Sequence, residues 1–302
     1  MPPSPRRPND LRRPQRARGT QFEQRDVDVL GMRLRYIDVG PTERDADATP
    51  LLLVHGHTSR IEEYDDLVPH LARRHRVLVP DLPGCGYSEK PNCAYSLQLY
   101  EDTLLGFLDT VGVQRARVGG GSLGGNLTLR LGHRVPDRFP ELAAWAPAGA
   151  WQPAKLVADV GKALGRAAGR FLFWPFVWVQ SRYWYEARWP KRDQTLRDTF
   201  AYYREVMGPG FARMYFEVAF DQFLHTHFAY AERITQPTLL GWGDRDHGLG
   251  MGEGVKRLAG MIPRAELKVF PGARHSLANE VPEQLASAVL EFFGRSRLAP
   301  AG

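Results

Sequence analysis

The chain has 302 residues, 43% of them hydrophobic and 25% charged, a balance that suits one large globular core and excludes a fibrous or wholly disordered protein. Its net charge of +6 is concentrated in residues 1–20, where six arginines face one aspartate, so the body is close to neutral and no nucleic-acid partner is expected of it. The longest apolar run, residues 171–179, is nine long and contains a proline, which is too short for a transmembrane helix.

Residues 1–21 form a Pro- and Arg-rich tail without apolar periodicity, which reads as disordered. The arginines lead into no apolar segment with a small-residue cleavage site, so no secretory signal is expected. Cys85 and Cys93 lack metal-type spacing and read as free thiols in a reducing compartment, which points to the cytoplasm.

From Phe22 the chain alternates. Val27–Leu30 and Arg33–Val39 flank Gly31-Met32 as a hairpin, and Leu51–Val54 and Arg76–Val79 are continuous apolar runs of the kind found in strands buried on both faces. Between those runs, Ile61–Arg74 reads as a helix, and Ser96–Val111 reads as a second with Leu97, Tyr100, Leu104 and Leu108 at helical spacing. A strand at Arg115–Val118, a helix at Leu123–Arg134 and a strand at Leu142–Ala146 continue an α/β doubly wound pattern. The alternation stops over residues 149–234, which are helical in pattern, and resumes with strands at Pro237–Trp242 and Ala265–Phe270 and a helix at Val281–Arg295. The reading is a core of residues 22–148 and 235–302 carrying an insertion at 149–234.

The inserted stretch holds five of the seven tryptophans, and residues 171–189 contain nine aromatics. Trp151, Trp174, Trp178 and Trp184 are candidates for an apolar substrate pocket, against the plainer reading that they build the insertion's own core. Leu156, Val160, Ala163, Leu164, Ala167 and Phe171 form one helical stripe, and Lys162, Arg166 and Arg170 form another. That is the composition of a membrane-surface element; the alternative is a helix that lays its apolar stripe on the core.

Gly119–Gly125 contains Gly120-Gly-Ser122-Leu-Gly124, a Gly-x-Ser-x-Gly that follows a strand and opens a helix, as a nucleophile elbow does. The same glycines also match Gly-x-Gly-x-x-Gly, but Asp137 and Glu141, near the distance a dinucleotide site requires, stand beside Pro136 and Pro140 rather than at the end of a second strand. No phosphate-loop lysine follows, and no cofactor is expected. A serine hydroxyl is a poor nucleophile at neutral pH, so the elbow calls for a histidine base held by an acid. The N–H of Leu123, at the helix start, is a natural donor to an oxyanion. His225-x-His227 resembles a metal pair only superficially, and no metal is expected.

These motifs together resemble α/β-hydrolase fold proteins with a helical cap, over residues 22–293. His55-Gly56, Asp81-Leu-Pro-Gly-Cys-Gly-Tyr-Ser88, Gly120–Gly124, Trp242-Gly-Asp-Arg-Asp246 and His275 carry the resemblance. It implies Ser122, Asp246 and His275 as the catalytic triad in that chain order, with Asp246 preferred to Asp244 by its distance from Gly243, and the N–H of His57 as the second oxyanion donor. The proline usual after the acid is missing here, and His247-Gly-Leu-Gly-Met-Gly252 follows Asp246 instead. Haloalkane dehalogenases and epoxide hydrolases, also similar, need an aspartate at the elbow, so Ser122 argues against both. The implied function is hydrolysis of a small or lipid-like ester with an apolar group. Carbon–carbon bond hydrolysis, perhydrolysis and a non-catalytic ligand-binding role remain as alternatives. Gly121 stands where such proteins tend to carry a larger residue, and the expectation is extra room beside Ser122.

Overall fold

The computed structural model describes residues 19–43, 47–151, 155–248 and 251–296. Eight strands form one sheet: β1 (Gln24–Val29), β2 (Met32–Val39), β3 (Asp47–Val54), β4 (His75–Pro80), β5 (Arg117–Gly121), β6 (Leu142–Trp145), β7 (Thr238–Gly243) and β8 (Ala265–Phe270). Their order is β1-β2-β4-β3-β5-β6-β7-β8. Only the β1–β2 and β2–β4 pairs are antiparallel; every pair from β4 to β8 is parallel.

The apolar runs are explained by burial on both faces. Leu51 and Leu53 of β3 join one core with Val77, Val79, Ala143 and Leu239, while Leu52 and Val54 join the other with Leu78, Val118 and Leu240. The alternation of a strand's side chains thus feeds two helix layers, one on each side. Helices α2 (Leu97–Thr110) and α3 (Leu123–Arg134) are among those that cover the sheet, and α2 starts where Ser96 accepts a hydrogen bond from the Leu99 N–H at 3.1 Å.

Two expectations need correction. Residues 61–74 do not form one helix: a single 3₁₀ turn at Ile61–Tyr64 is followed by the four-residue α1 (Val68–Leu71). The helical spacing of Ile61, Tyr64, Leu67, Val68 and Leu71 is real and all five are buried, but Pro69 has no N–H to continue the earlier turn and starts a new helix instead. The expected tail of residues 1–21 falls mostly outside the described residues. Its end is anchored, however, because Thr20 Oγ1 donates to Asp65 Oδ1 at 2.5 Å and Gln21 Nε2 to the Asp65 carbonyl at 2.8 Å.

Between β6 and β7 the chain adds α4 (Lys155–Ser181), α5 (Arg192–Val206) and α6 (Pro209–Leu224). Phe173 of α4 is fully buried against Tyr203, Phe211 and Tyr215, so an aromatic cluster joins the three helices. The chain closes with α7 (Met251–Met261), α8 (Leu277–Glu280) and α9 (Pro282–Ser296). No described helix is long and apolar enough to cross a membrane. Both cysteines are free, and burial pushes the Cys85 thiol up to about 12.

Candidate active site

The loops that leave β3, β5 and β8 at their C-terminal ends bring Gly56, His57, Ser122 and His275 to one cavity of about 630 Å³. Ligand sites of parallel sheets lie at this edge. Ser122 sits between the end of β5 and the start of α3 with φ +54° and ψ −116°, a left-handed conformation that costs a residue with a Cβ roughly 1–3 kcal/mol. The turn is held from both sides: the Ser122 N–H donates to the Trp145 carbonyl at 3.0 Å, and its own carbonyl accepts from Asn126 and Ala148 at 2.9 and 3.0 Å. Among the described residues the Ser122 hydroxyl has no hydrogen-bond partner.

The flanking glycines are required by packing. A Cβ on Gly120 or Gly124 would run into the Val54 carbonyl of neighbouring β3. Gly121 has a different reason, and it corrects the expectation of spare room. A Cβ there would strike the indole of Trp145, its direct partner on β6, so that ring fills the space a larger residue would take.

His275 and Asp246 meet, as Nδ1 lies 2.8 Å from Asp246 Oδ2. Asp246 is buried, and the Trp242 indole N–H donates to its carbonyl at 3.1 Å, which fixes the loop after β7 although 249–250 lie outside the described residues. Asp244 is placed elsewhere and accepts the Gly272 N–H at 2.7 Å in the turn after β8. Burial works against a charge on His275, but the Asp246 carboxylate, helped by Glu63 and Glu280, outweighs it and raises the imidazole pKa above the ordinary 6.5.

The strand-end loop after β3 shows how an N–H is aimed. Leu82 N–H donates to His55 Nε2 at 3.0 Å, so that nitrogen accepts and the proton sits on Nδ1, which donates to the Gly56 carbonyl at 2.8 Å. The N–H of the same trans peptide unit belongs to His57 and points the opposite way. On the other side of Gly56, its N–H donates to Glu63 Oε2 at 2.9 Å. A Cβ on Gly56 would stand 3.7 Å from the Ser122 Cβ, which puts this peptide beside the serine. The Leu123 N–H, in the first turn of α3, has no partner within the helix.

Glu63 escaped the sequence reading because an acid next to Glu62 looks like a solvated face, whereas the 3₁₀ turn carries it back to Gly56. The side chain of His57, expected as a backbone donor, also lines the cavity. Its ring packs on Tyr215 with centroids 5.0 Å apart, burial drives its pKa down to about 4, and its Nε2 is buried without a partner among the described residues.

Of the four candidate tryptophans, only Trp184 lines the cavity. Trp151 instead packs on Phe223 at 5.4 Å, and Trp174 lies between Phe173 and Phe200 at 5.2 and 6.4 Å, so both pack among the inserted helices. Trp178 is half exposed under the Arg182 guanidinium. The wall also includes Tyr185, Trp189, Tyr202 and Tyr203, together with Arg60 and Glu63, and is more polar than a purely apolar pocket. His227 is closed off, since Nδ1 pairs with the Tyr230 hydroxyl at 2.5 Å and Nε2 with the Ala148 carbonyl at 2.7 Å.

Comparison with known proteins agrees with this architecture. A 2-hydroxymuconate semialdehyde hydrolase of Pseudomonas sp. (strain CF600) is 25% identical over 298 residues, 91% of this chain and 95% of that protein. Haloalkane dehalogenase 2 of Mycobacterium tuberculosis (strain ATCC 25618 / H37Rv) is 26% identical over 290 residues, 90% of this chain and 96% of that protein. The crystal structure of the enol-lactonase from Burkholderia xenovorans LB400 superposes with a TM-score of 0.74 at 24% identity, covering 89% of this chain and all of that one. The family model described as the alpha/beta hydrolase fold matches residues 49–280, and the chain belongs to that family.

Proposed function

We propose that the protein is a serine hydrolase that cleaves a carboxylic ester with an apolar acyl or alkyl group through an acyl-enzyme on Ser122. The observation that carries the reading is the His275–Asp246 pair at 2.8 Å, on a cavity it shares with a serine at a strained strand-to-helix turn. Ser122 Oγ attacks the ester carbonyl while His275 Nε2 takes its proton, and Asp246 holds the Nδ1–H and stabilises the imidazolium. The N–H groups of His57 and Leu123 receive the oxyanion. Collapse breaks the C–O bond, the leaving alkoxide takes the proton from His275, and a water activated by the same ring hydrolyses the acyl-enzyme and restores Ser122. Trp184, Tyr185 and Tyr203 supply the apolar side of the cavity.

The test is a series of p-nitrophenyl esters of increasing acyl length, with a β-diketone beside them. Hydrolysis well above that of a Ser122→Ala variant supports the reading, and rates equal to that variant across the series contradict it. Carbon–carbon bond hydrolysis is the second reading, favoured by the semialdehyde hydrolase relative and by the partnerless Nε2 of a neutral His57, a donor or acceptor for a polar substrate. Turnover of the diketone faster than of any ester selects it.

Three outcomes follow for the machinery. His275 acts as a base only when neutral, so kcat/KM falls as pH drops through a midpoint above 6.5. Asp246→Asn removes what raises that pKa: in a pH–rate profile the acid limb shifts to lower pH and kcat drops roughly 10⁴-fold. An unmoved limb contradicts the pairing. Glu63→Gln weakens the acceptor for the Gly56 N–H, and kcat falls about tenfold with KM little changed, as for a group that positions an oxyanion donor. A change in KM alone would assign Glu63 to substrate binding instead.

A further inference from the structure

Of the ten large apolar side chains exposed among the described residues, eight lie between Val160 and Tyr183, on α4 and just after it. At 3.6 residues per turn, Val160, Leu164, Phe171 and Trp178 fall within about 40° of one another, so they form a single outward stripe. Phe171 is 82% exposed and Trp178 53%. The inner side of the same helix is well packed: Phe173 and Val177 are fully buried, and a Cβ on Gly161 would meet the ring of Phe220. The stripe is therefore a second apolar face, left over after α4 has covered the core.

We propose that this face docks the protein on the surface of an anionic phospholipid membrane. Residues 155–183 carry five basic residues and one acidic, a net charge of +4. Two copies of such a segment laid face to face repel each other, whereas an anionic lipid surface attracts each of them. The Arg182 guanidinium sits 3.8 Å over the Trp178 ring with Tyr183 exposed beside it, an apolar body with a cationic and aromatic rim suited to the headgroup boundary. The same stretch of chain also reaches the candidate active site, because Gln180, Trp184 and Tyr185 line its cavity.

Co-sedimentation with vesicles of phosphatidylcholine alone and of equal parts phosphatidylcholine and phosphatidylglycerol tests the proposal, and it reads partition rather than turnover, so it stands or falls apart from ester hydrolysis. The full chain is expected to partition at least about tenfold more strongly onto the anionic vesicles. Phe171→Gln with Val179→Gln, both on the surface, is expected to weaken that binding about tenfold or more with an unchanged melting temperature, and Phe171→Gln alone to weaken it severalfold. A full chain whose six tail arginines are changed to glutamine is expected to bind within about twofold of the original. Binding untouched by the Gln substitutions, binding lost with the tail arginines, no binding to either vesicle, or a dimer that the double substitution splits each overturns the proposal.

Discussion

Ser122→Ala is expected to lower kcat by about 10⁶-fold toward every ester the protein hydrolyses, leaving only the residual rate that an oxyanion site and binding supply. The size follows from chemistry: alanine has no atom to form the acyl-enzyme, and the His275–Asp246 pair then has no proton to take. The fold should not notice, because the hydroxyl has no partner among the described residues and the turn is held by backbone hydrogen bonds. Ser122→Gly sharpens the point. Glycine adopts φ +54° without strain, so this variant is equally inactive but more stable by about 1 kcal/mol, read as a higher denaturant midpoint. A serine kept at a position where glycine is more stable is kept for its oxygen. Residual activity of either variant above about one part in a thousand would place the chemistry elsewhere.

The largest effect on stability is expected at Gly124. An alanine there drives its Cβ into the Val54 carbonyl group, 2.6 Å from the carbonyl carbon and 3.1 Å from the His55 carbonyl oxygen, and backbone at the end of a central strand cannot step aside. Either α3 moves off the sheet or β3 does, at a cost of about 3 kcal/mol or more. The same displacement moves Gly56 and His57, so activity is lost along with stability. Gly260→Ala is the control: it lies in α7 with nothing within 4 Å, and it should stabilise by about 0.5–1 kcal/mol. Chemical denaturation of the pair measures both, and a Gly124→Ala variant as stable as the original would mean that β3 and α3 do not pack as described.

The residues proposed to set the chemistry were legible because each follows a strand and is marked by a short local pattern. Ser122, Asp246 and His275 arrive in chain order behind β5, β7 and β8, and the apolar runs of those strands are visible in any parallel sheet buried on both faces. What the sequence hid depends on contacts between distant segments. Trp174 and Trp184 are the same residue type ten positions apart, yet one packs between helices and the other lines the cavity, because Trp174 lies within α4 and Trp184 in the turn that follows its end at Ser181. Gly121 suggested a void because its occupant, Trp145, comes from the neighbouring strand through a pairing that only the sheet order reveals. Tyr202 and Tyr203 were overlooked for a related reason, since α5 carries no motif and its place on the cavity wall comes from packing alone. The helix expected over 61–74 failed on one proline, and its replacement by a 3₁₀ turn is what swings Glu63 toward Gly56.

The central claim is that Ser122 is a nucleophile activated by His275. Incubation with a fluorophosphonate probe, followed by mass spectrometry of the digested protein, tests it most directly. The account predicts a single phosphonylated serine, Ser122, formed slowly or not at all in the Asp246→Asn variant and blocked by prior acylation with a slow ester. An unlabelled protein, or a label carried on any other serine, would contradict it.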